Sequence, residues 1–400
     1  MKSQEKFVQF GDFMGIAVVF YKSLGLDAFA PQEKRSILLK IFQVLVLVLG
    51  TGNLFLAIAL EVTYFIKSFG VLTNILEITA LLPCTIISTA SATKILTVWS
   101  RNAQLTPILH QLEDMFPQTV AEQEKYDIKF YRKHMRRVVL PCVVLTLITG
   151  AIFSFFEISE STINYFRNGN FEKKYPYFFW YPFDDQTNWV YPILYLHQFY
   201  AGFVTVGASI ATDLLLCCIV TQFRMHLDFT SRQLLKMVPR GGSNDIRYLK
   251  QLIQRHITIL RFSDDINDVF GISSLCTFLS SAPIICFTGF QVSIGVTNKT
   301  FAKYILFLVY QLLTVFAVCY HGNIVIDSSL EVGDAAYGQD WFQASKEYKK
   351  ILLVLMTRAT KHSTLRATSF VTASLRTFSS IISTSYQFFA LVRTMYNDDN

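Results

Sequence analysis

Long apolar runs separated by charged stretches form the dominant pattern of the chain. A helix that crosses a lipid bilayer needs about 20 mostly apolar residues, and six stretches reach this length. They are residues 37–60, 71–93, 138–158, 189–220, 269–291 and 301–322. Because only helices and closed barrels satisfy their backbone polar groups inside a bilayer, the pattern predicts an all-α membrane protein.

A seventh run, residues 369–394, is less apolar than the other six. Ten of the eighteen residues from Thr368 to Ser385 are Ser or Thr, which lowers the hydropathy of the run. It is nevertheless long enough to cross a bilayer, and it contains no Pro or Gly, the two residues that weaken a helix most. We therefore predict seven transmembrane helices.

The polar side chains of the seventh run recur every three or four residues. On a helix, this spacing confines them to an arc of about 80°. The set comprises Ser369, Thr372, Arg376, Ser380, Ser383 and Gln387. Within a bilayer, such a polar face must meet either neighbouring helices or water. If it lines a water-filled path, its continuation reaches Leu391, an apolar constriction able to close the path by dewetting, and then Thr394.

Two segments between the spans are predicted to form further helices. From Asn244 to Val269, apolar residues recur with the three-and-four spacing of an amphipathic helix, and no strong helix breaker separates them from the fifth span. Residues Trp341–Arg358 also have an apolar side, formed by Phe342, Leu352, Leu353 and Met356. These helices either lie on the membrane surface or form a cytoplasmic bundle where subunits meet.

The composition supports a membrane protein. It excludes a secreted disulfide scaffold, a collagen-like fibre and an intrinsically disordered chain. Hydrophobic residues make up 52% of the chain and charged residues only 16%, against about 25% charged residues in a typical globular protein. The seven cysteines are an odd number, and all of them lie in apolar stretches without the spacing of metal ligands. We therefore interpret them as small buried hydrophobic residues rather than as a disulfide framework or a metal site.

The basic residues predict the orientation of the chain in the membrane. With seven spans, the segments on the side of the N-terminus hold 27 Lys and Arg residues, whereas the opposite side holds five. Because positively charged loops stay in the cytoplasm, the N-terminus is predicted inside and the C-terminus outside. The sequon that begins at Asn298 then lies outside the cell, as a candidate glycosylation site.

This topology divides the chain into four segments. Residues 1–36 form a cytoplasmic N-terminus, and residues 37–323 form a bundle of six transmembrane helices with helical cytoplasmic loops. Residues 324–368 form a cytoplasmic anchor region, and residues 369–400 form the seventh helix with an extracellular tail.

No sequence motif points to catalysis. The chain contains no HExxH, P-loop, G-x-G-x-x-G or G-x-S-x-G motif, so we expect no catalytic residue, no cofactor, no metal ion and no nucleic-acid partner. The inverted repeats of many transporters are not evident. A G-protein-coupled receptor would have an exterior N-terminus, and the chain lacks the Asp-Arg-Tyr and Asn-Pro-x-x-Tyr motifs usual in that class.

The second predicted exterior loop is rich in aromatic residues. From Tyr175 to Phe183, seven of nine residues are aromatic. Trp and Tyr side chains commonly anchor a protein at the membrane surface. The alternative interpretation is a cap over a ligand pocket.

The C-terminal stretch resembles the signature end of insect odorant receptors. It reads Tyr337-Gly-Gln-Asp-Trp341 before a cytoplasmic helix, then a Ser-rich and Tyr-containing segment from Phe378 to Arg393. The pair Ser385-Tyr386 fits the odorant branch better than the sister gustatory receptors, which are the alternative within the superfamily. The resemblance implies an odorant-gated, non-selective cation channel in the plasma membrane of sensory dendrites, with a metabotropic receptor as the alternative.

The same resemblance implies a partner and a pore. A ligand-tuned subunit of this family forms a heterotetramer with a shared co-receptor, and the short second cytoplasmic loop, residues 221–268, is typical of the tuning subunit. Aligned on Ser374-Leu375 and Phe378, the gate of the co-receptor falls on Leu391 and a polar pore residue, Gln in the co-receptor, falls on Thr394. The other implied pore residues are Ser380, Ser383 and Gln387, and the implied subunit-anchor residues are Tyr337 and Trp341.

The resemblance also implies an odorant pocket in the outer half of the bundle, among the second to sixth helices. An aromatic pocket with a few hydroxyl groups suits a small volatile organic ligand. Plain helix packing is the alternative for each single residue. The candidates are Ile152, Phe155, Phe156, Tyr195, Phe199, Tyr304, Phe307 and Tyr310.

Overall fold

The computed structural model describes residues 7–29, 36–68, 75–169, 171–240, 242–294 and 298–398, and most of them are helical. The side chain of Asn298, the candidate glycosylation site, lies outside the described part. In chain order, the elements are α1 (Phe10–Ser23), α2 (Ile37–Ser68), α3 (Ile75–Ser100), α4 (Asn102–Met115), α5 (Val120–Tyr126), α6 (Ile128–Asn168), α7 (Val190–Leu235), α8 (Ser243–Ile294), α9 (Asn298–Gly338), α10 (Lys346–Ala359), β1 (Arg366–Ala367), β2 (Val371–Thr372) and α11 (Leu375–Asp398).

Six of the helices in the described ranges, α2, α3, α6, α7, α8 and α9, are long and apolar enough to cross a membrane. Each contains all or most of one predicted apolar run, so the prediction of six apolar spans is confirmed. Residues 71–74 of the second run lie outside the described part, and the fourth run begins one residue before α7. Helix α8 runs unbroken over 52 residues, as the amphipathic pattern before the fifth span predicts. Because about 20 residues cross a bilayer, both α8 and the 46-residue α7 project well beyond one membrane surface.

Helix α7 forms the centre of the bundle. In its most apolar eighteen-residue window, 89% of the residues are buried, against 22% for α2. It packs against α1, α2, α3, α6, α8 and α9. Small residues such as Gly202, Ala208 and Ala211 allow neighbouring helices to approach closely. Helix α7 therefore positions the elements that surround it.

Two features of the N-terminal half differ from the sequence-based expectation. Helix α1 was not predicted, and Phe13, Met14 and Ala17 are fully buried in its packing against α7. The 27 basic residues on the side of the N-terminus include Lys94, but this side chain does not belong to a loop, because α3 continues to Ser100 and buries it. A buried ammonium group needs a charged partner, and this one lies on α7, 119 residues away in sequence.

The predicted seventh helix begins too early. Helix α11 starts at Leu375, and Thr372 belongs to a short antiparallel hairpin in which Ala367 pairs with Val371. The hairpin turns at Thr368, which has a positive φ of 67°. Ser369 and Thr372 therefore precede the helix and are not part of its polar face.

The cytoplasmic helix predicted from Trp341 also begins later, at Lys346. Ser345 caps it, since its side chain accepts a hydrogen bond from the Tyr348 backbone N–H at 3.3 Å. Its buried side holds Tyr348, Leu352, Leu355 and Ala359. The prediction of Leu352 on this side is confirmed, whereas Phe342 and Leu353 are exposed, at 69% and 64%.

Candidate functional site

A narrow cavity lies within the bundle, between α2, α3, α6, α7 and α9 and below the aromatic loop. It contains about 570 Å³ of space between atoms, but the centre of a water molecule can occupy only about 50 Å³ of it. A ligand must therefore be small or must displace side chains. The lining residues are Ala57, Glu61, Cys84, Ile87, Ser88, Thr146, Thr149, Gly150, Phe153, Tyr177, Phe179, Ala201, Gly202, Thr205, Val206, Phe307 and Tyr310.

Aromatic rings form one wall of the cavity. Phe153 of α6 meets Phe307 of α9 edge to face, with ring centroids 5.2 Å apart. Phe307 in turn stacks on Tyr310 at 6.3 Å. With Ile284 of α8, these residues form one buried cluster. The wall offers dispersion contacts and ring faces to a ligand.

Few polar groups are available to a ligand in the cavity. The hydroxyl groups of Thr146 and Thr205 donate to carbonyl groups of their own helices, at 2.6 Å and 2.9 Å. Such bonds within a helix leave no hydroxyl hydrogen for a ligand. In contrast, Thr149 Oγ1 and Glu61 Oε2 are buried and have no hydrogen-bond partner. These two groups can therefore hydrogen-bond to a ligand in the cavity.

The aromatic exterior loop closes the cavity from above. Tyr177 and Phe179 line the cavity, and the loop is held by the Tyr177 N–H, which donates to Gln198 Oε1 at 3.0 Å. The backbone N–H of Trp180 donates to Leu60 O at 3.2 Å. Phe183 is 53% exposed, as expected for contact with a membrane surface. One side of the loop thus caps the cavity, and the other side faces outward.

Two of the eight predicted pocket residues, Phe307 and Tyr310, line this cavity, and six do not. Phe155 is 50% exposed and packs against Phe199 at 5.3 Å, whereas Tyr195 donates to Ser154 O at 2.5 Å. Tyr304 is buried against Phe153 without lining the cavity. The other residues that lie outside the cavity lining are Ile152 and Phe156.

Sequence reasoning missed Glu61 and Phe153, and it included Tyr177 only as part of the aromatic loop. Neighbouring residues on a helix point about 100° apart, so the choice of Ile152 instead of Phe153 selects a different face. Glu61 was missed because the predicted first span ends at residue 60. An ionisable residue at the end of an apolar run is a signal that could have identified it.

Helix α11 has one side against the bundle and one side turned away from it. The inner side holds Phe378, which meets Phe316 of α9 at 5.5 Å, and Tyr396, which meets Phe290 of α8 at 5.7 Å. The outer side is exposed and includes Arg376, Ser380, Ser383, Gln387, Leu391 and Thr394. The polar face therefore does not pack against the other described helices of this chain.

The two predicted subunit-anchor residues lie together beside α10. The Trp341 indole N–H donates to Tyr337 O at 3.1 Å, and the Trp341 ring stacks on Phe342 at 4.5 Å. Tyr337 is 64% exposed. Phe342 is also exposed, whereas Trp341 is half-buried, and the three residues form an aromatic patch at the predicted cytoplasmic end. Among the described residues, no group of three or more His, Cys, Asp or Glu side chains could hold a metal ion.

Comparison with known proteins identifies the family. The model of the family described as "7tm Odorant receptor" matches residues 74–386. Odorant receptor 67c of Drosophila melanogaster is 33% identical over 98% of this chain and 97% of its own length. The chain belongs to the insect odorant receptor family. Odorant receptor 67a of the same fly is 32% identical over 98% of each chain.

The fold of this odorant receptor also resembles that of solved structures. Olfactory receptor OR5 from the insect Machilis hrabei, in complex with eugenol, superimposes with a TM-score of 0.82 at 17% sequence identity. The match covers 96% of this chain and 98% of the other. The family match and the six helices long enough to cross a membrane together show that this odorant receptor is a multi-pass membrane protein with a role in olfaction.

Proposed function

We propose that this odorant receptor is the ligand-tuning subunit of an odorant-gated, non-selective cation channel. It assembles with an odorant co-receptor into a heterotetramer in the plasma membrane of sensory dendrites. The observation that carries the proposal is the exposed polar face of α11. Repeated around a symmetry axis, such faces enclose a water-filled path, because a polar face in a bilayer needs protein or water as its neighbour.

Odorant binding is proposed to occur in the cavity. A narrow, mostly aromatic enclosure with few free polar groups suits a small volatile molecule held by dispersion and one or two hydrogen bonds. Phe307 and Tyr310 then contact the ligand directly. The other predicted pocket residues support the helices that carry the wall. The Machilis hrabei receptor was solved with eugenol, which is consistent with a small odorant as the ligand class.

Helix α8 offers a mechanical connection between the cavity and the pore. Ile284 of α8 packs in the same cluster as Phe307, and Phe290, six residues further along α8, contacts Tyr396 of α11. A ligand that displaces Phe307 therefore shifts the helix that supports the outer end of α11. Leu391, 57% exposed in this chain, is proposed as the gate, and Thr394 lies one turn beyond it.

Subunit contacts are proposed at two places. The polar faces of α11 meet around the pore, and the aromatic patch of Tyr337, Trp341 and Phe342 packs against a neighbouring subunit at the cytoplasmic end. Burial of such an aromatic patch is favourable and needs no change of fold. The polar face alone offers little apolar area, so the cytoplasmic contact stabilises the assembly.

Cysteine accessibility tests the pore assignment. Ser383 is exposed on the outer side of α11, whereas Ser385 is buried on its inner side, so the two serines form a matched pair. We expect a charged thiol reagent to change the odorant-evoked whole-cell current of S383C, co-expressed with the co-receptor, and to leave that of S385C unchanged. Equal reactivity, or reactivity of S385C alone, contradicts the pore assignment.

Recordings from excised membrane patches separate a channel from a metabotropic receptor. Odorant-evoked currents that persist in excised patches, without nucleotides or G proteins, support direct gating. A current that depends on G proteins instead identifies the metabotropic alternative.

A further inference from the structure

Glu61 is a buried acidic residue that no part of the channel mechanism uses. It lies towards the outer end of α2 and lines the cavity. Glu61 is only 3% exposed. Its Oε2 atom has no hydrogen-bond partner, and the buried Thr85 hydroxyl beside the carboxyl group has none either. Buried carboxyl groups are normally paired or hydrogen-bonded. The unpaired Oε2 atom of Glu61 therefore indicates a hydrogen-bonding partner that enters the cavity with a ligand.

The other acids between the helices already have partners. Asp213 pairs with Lys94 at 2.8 Å, and Glu157 pairs with Lys303 at 3.5 Å. Lys303 lies over the ring of Phe153 at 4.6 Å and is therefore the cation at the cavity wall, but Glu157 occupies it. Glu61 takes part in no ion pair between described residues.

The surroundings of Glu61 suit a positively charged group. Five aromatic residues line the same cavity, and the faces of aromatic rings attract ammonium ions. A carboxylate in the same enclosure adds a charge-assisted hydrogen bond. Neutral apolar ligands need the rings but not the carboxyl group. The aromatic residues are Phe153, Tyr177, Phe179, Phe307 and Tyr310.

We propose that Glu61 binds the nitrogen of a small volatile amine, so that amines are the preferred ligand class of this receptor. This proposal rests on the cavity being the odorant site. An amine that enters in its protonated form pairs with the Glu61 carboxylate. An amine that enters neutral takes the proton of the carboxyl group: the O–H bond breaks, an N–H bond forms, and the same ion pair results. The small size of the cavity limits the carbon skeleton to a few atoms or one ring.

A shape-matched panel and one conservative variant test the proposal. Isoamylamine, isoamyl alcohol and 2-methylpentane have similar shapes but carry an amine, a hydroxyl and a methyl group. Glu61→Gln retains the size of the side chain and can hydrogen-bond to an alcohol, but it cannot form the ion pair. In cells that also express the co-receptor, we expect the amine to open the wild-type channel at a concentration about tenfold or more below that of the alcohol.

In Glu61→Gln, we expect the amine concentration for half-maximal current to rise about tenfold or more, while that of the alcohol changes less than about threefold. Glu77→Gln is the matched control, because Glu77 is an exposed acid on the neighbouring α3, and it should leave both values unchanged. Surface labelling confirms that each variant reaches the plasma membrane. Equal amine responses in the wild type and Glu61→Gln overturn the proposal.

A binding measurement separates this proposal from the channel function. Isoamylamine, at constant pH, should raise the unfolding temperature of the purified receptor complex and should not raise that of Glu61→Gln. If neutral odorants open the channel and the amine neither opens nor stabilises it, the amine proposal is wrong and the channel function stands. If the amine stabilises the wild type alone but no odorant evokes a current, the amine site stands and the channel function is wrong.

Discussion

The ion pair between Lys94 and Asp213 shows how a single charged residue is accommodated inside the bundle. The two side chains are 3% and 9% exposed, and Lys94 Nζ lies 2.8 Å from Asp213 Oδ2. Thr277 of α8 faces the other carboxylate oxygen at 3.5 Å. The pair therefore joins α3, α7 and α8. Its attraction offsets the cost of removing both charges from water, so neither charge is tolerated alone.

Removal of one partner should destabilise the receptor strongly. Lys94→Met leaves Asp213 buried and unpaired, and we expect a loss of about 3–5 kcal/mol in the free energy of unfolding. The double variant Lys94→Met/Asp213→Leu should recover most of this loss, because it leaves no buried charge. Thermal unfolding of the detergent-purified protein measures both effects, with the exposed Lys350→Met as a control. A double variant less stable than Lys94→Met would contradict this account.

Gly202 of α7 makes room for the loop residue that caps the cavity. A Cβ atom at this position would lie 3.1 Å from Cζ of Tyr177 and closer still to its hydroxyl oxygen. Tyr177 would then have to move. We expect Gly202→Ala to shift the odorant dose–response curve, and Tyr177→Phe in the same chain to restore it partly, because the variant ring lacks the hydroxyl group.

A second glycine of the cavity is the control for this experiment. At Gly150 a Cβ atom would meet Val206 at 3.7 Å, an ordinary van der Waals distance, so Gly150→Ala should change the curve much less. If the dose–response curve of Gly202→Ala equals that of the wild type, the position of Tyr177 does not affect ligand binding.

At the scale of elements, the start of α11 depends on the hairpin before it. The Asn267 side chain of α8 donates to Thr364 O at 2.9 Å and accepts from the Arg366 N–H at 2.7 Å. A Cβ atom at Gly322 of α9 would overlap the backbone of Ala373, so only glycine fits there. The hairpin is thereby held between α8 and α9, and α11 leaves the bundle from a defined position.

Loss of the Asn267 side chain should loosen this connection. Asn267→Ala removes two hydrogen bonds, each worth about 0.5–1.5 kcal/mol. We expect faster hydrogen exchange in residues 364–373, measured by mass spectrometry, without loss of the other helices. Asp264→Ala serves as the control, because its exposed pair with Arg366 contributes little. Unchanged exchange in Asn267→Ala would show that packing alone holds the hairpin.

At the scale of the whole molecule, the long helices extend towards the same predicted side of the membrane. Helix α7 ends at Leu235 and α8 begins at Ser243, and the segments at this end hold most of the 36 Lys and Arg residues. The helical extensions and the basic residues thus belong to one end of the bundle. By the positive-inside rule, this end faces the cytoplasm.

Epitope tags test this orientation. A tag at residue 1 should be stained only after permeabilisation of the cell, whereas a tag at residue 400 should be stained without it. The expected result follows from seven spans with a cytoplasmic N-terminus, and an odd number of spans requires opposite sides for the two tags. Two tags on the same side would show that α11 does not cross the membrane.

The sequence by itself determined the local features of this receptor. Apolar content over about 20 residues is enough to define a span, so six spans were predictable. The continuity of α8 was also predictable, since no helix breaker interrupts its pattern. The polar face from Arg376 to Gln387 was equally readable, because periodicity is a property of the helix alone.

The tertiary structure decided which of these features meet. Lys94 and Asp213, or Glu61, Phe153 and Tyr177, are far apart in the chain, and their contacts depend on the rotation and depth of several helices at once. The polar face of α11 turns away from the bundle because Phe378 and Tyr396 fill sites on α8 and α9. A rotation of one residue, about 100°, separates Phe153 in the cavity wall from Ile152 outside it, and only packing against neighbouring helices fixes that angle.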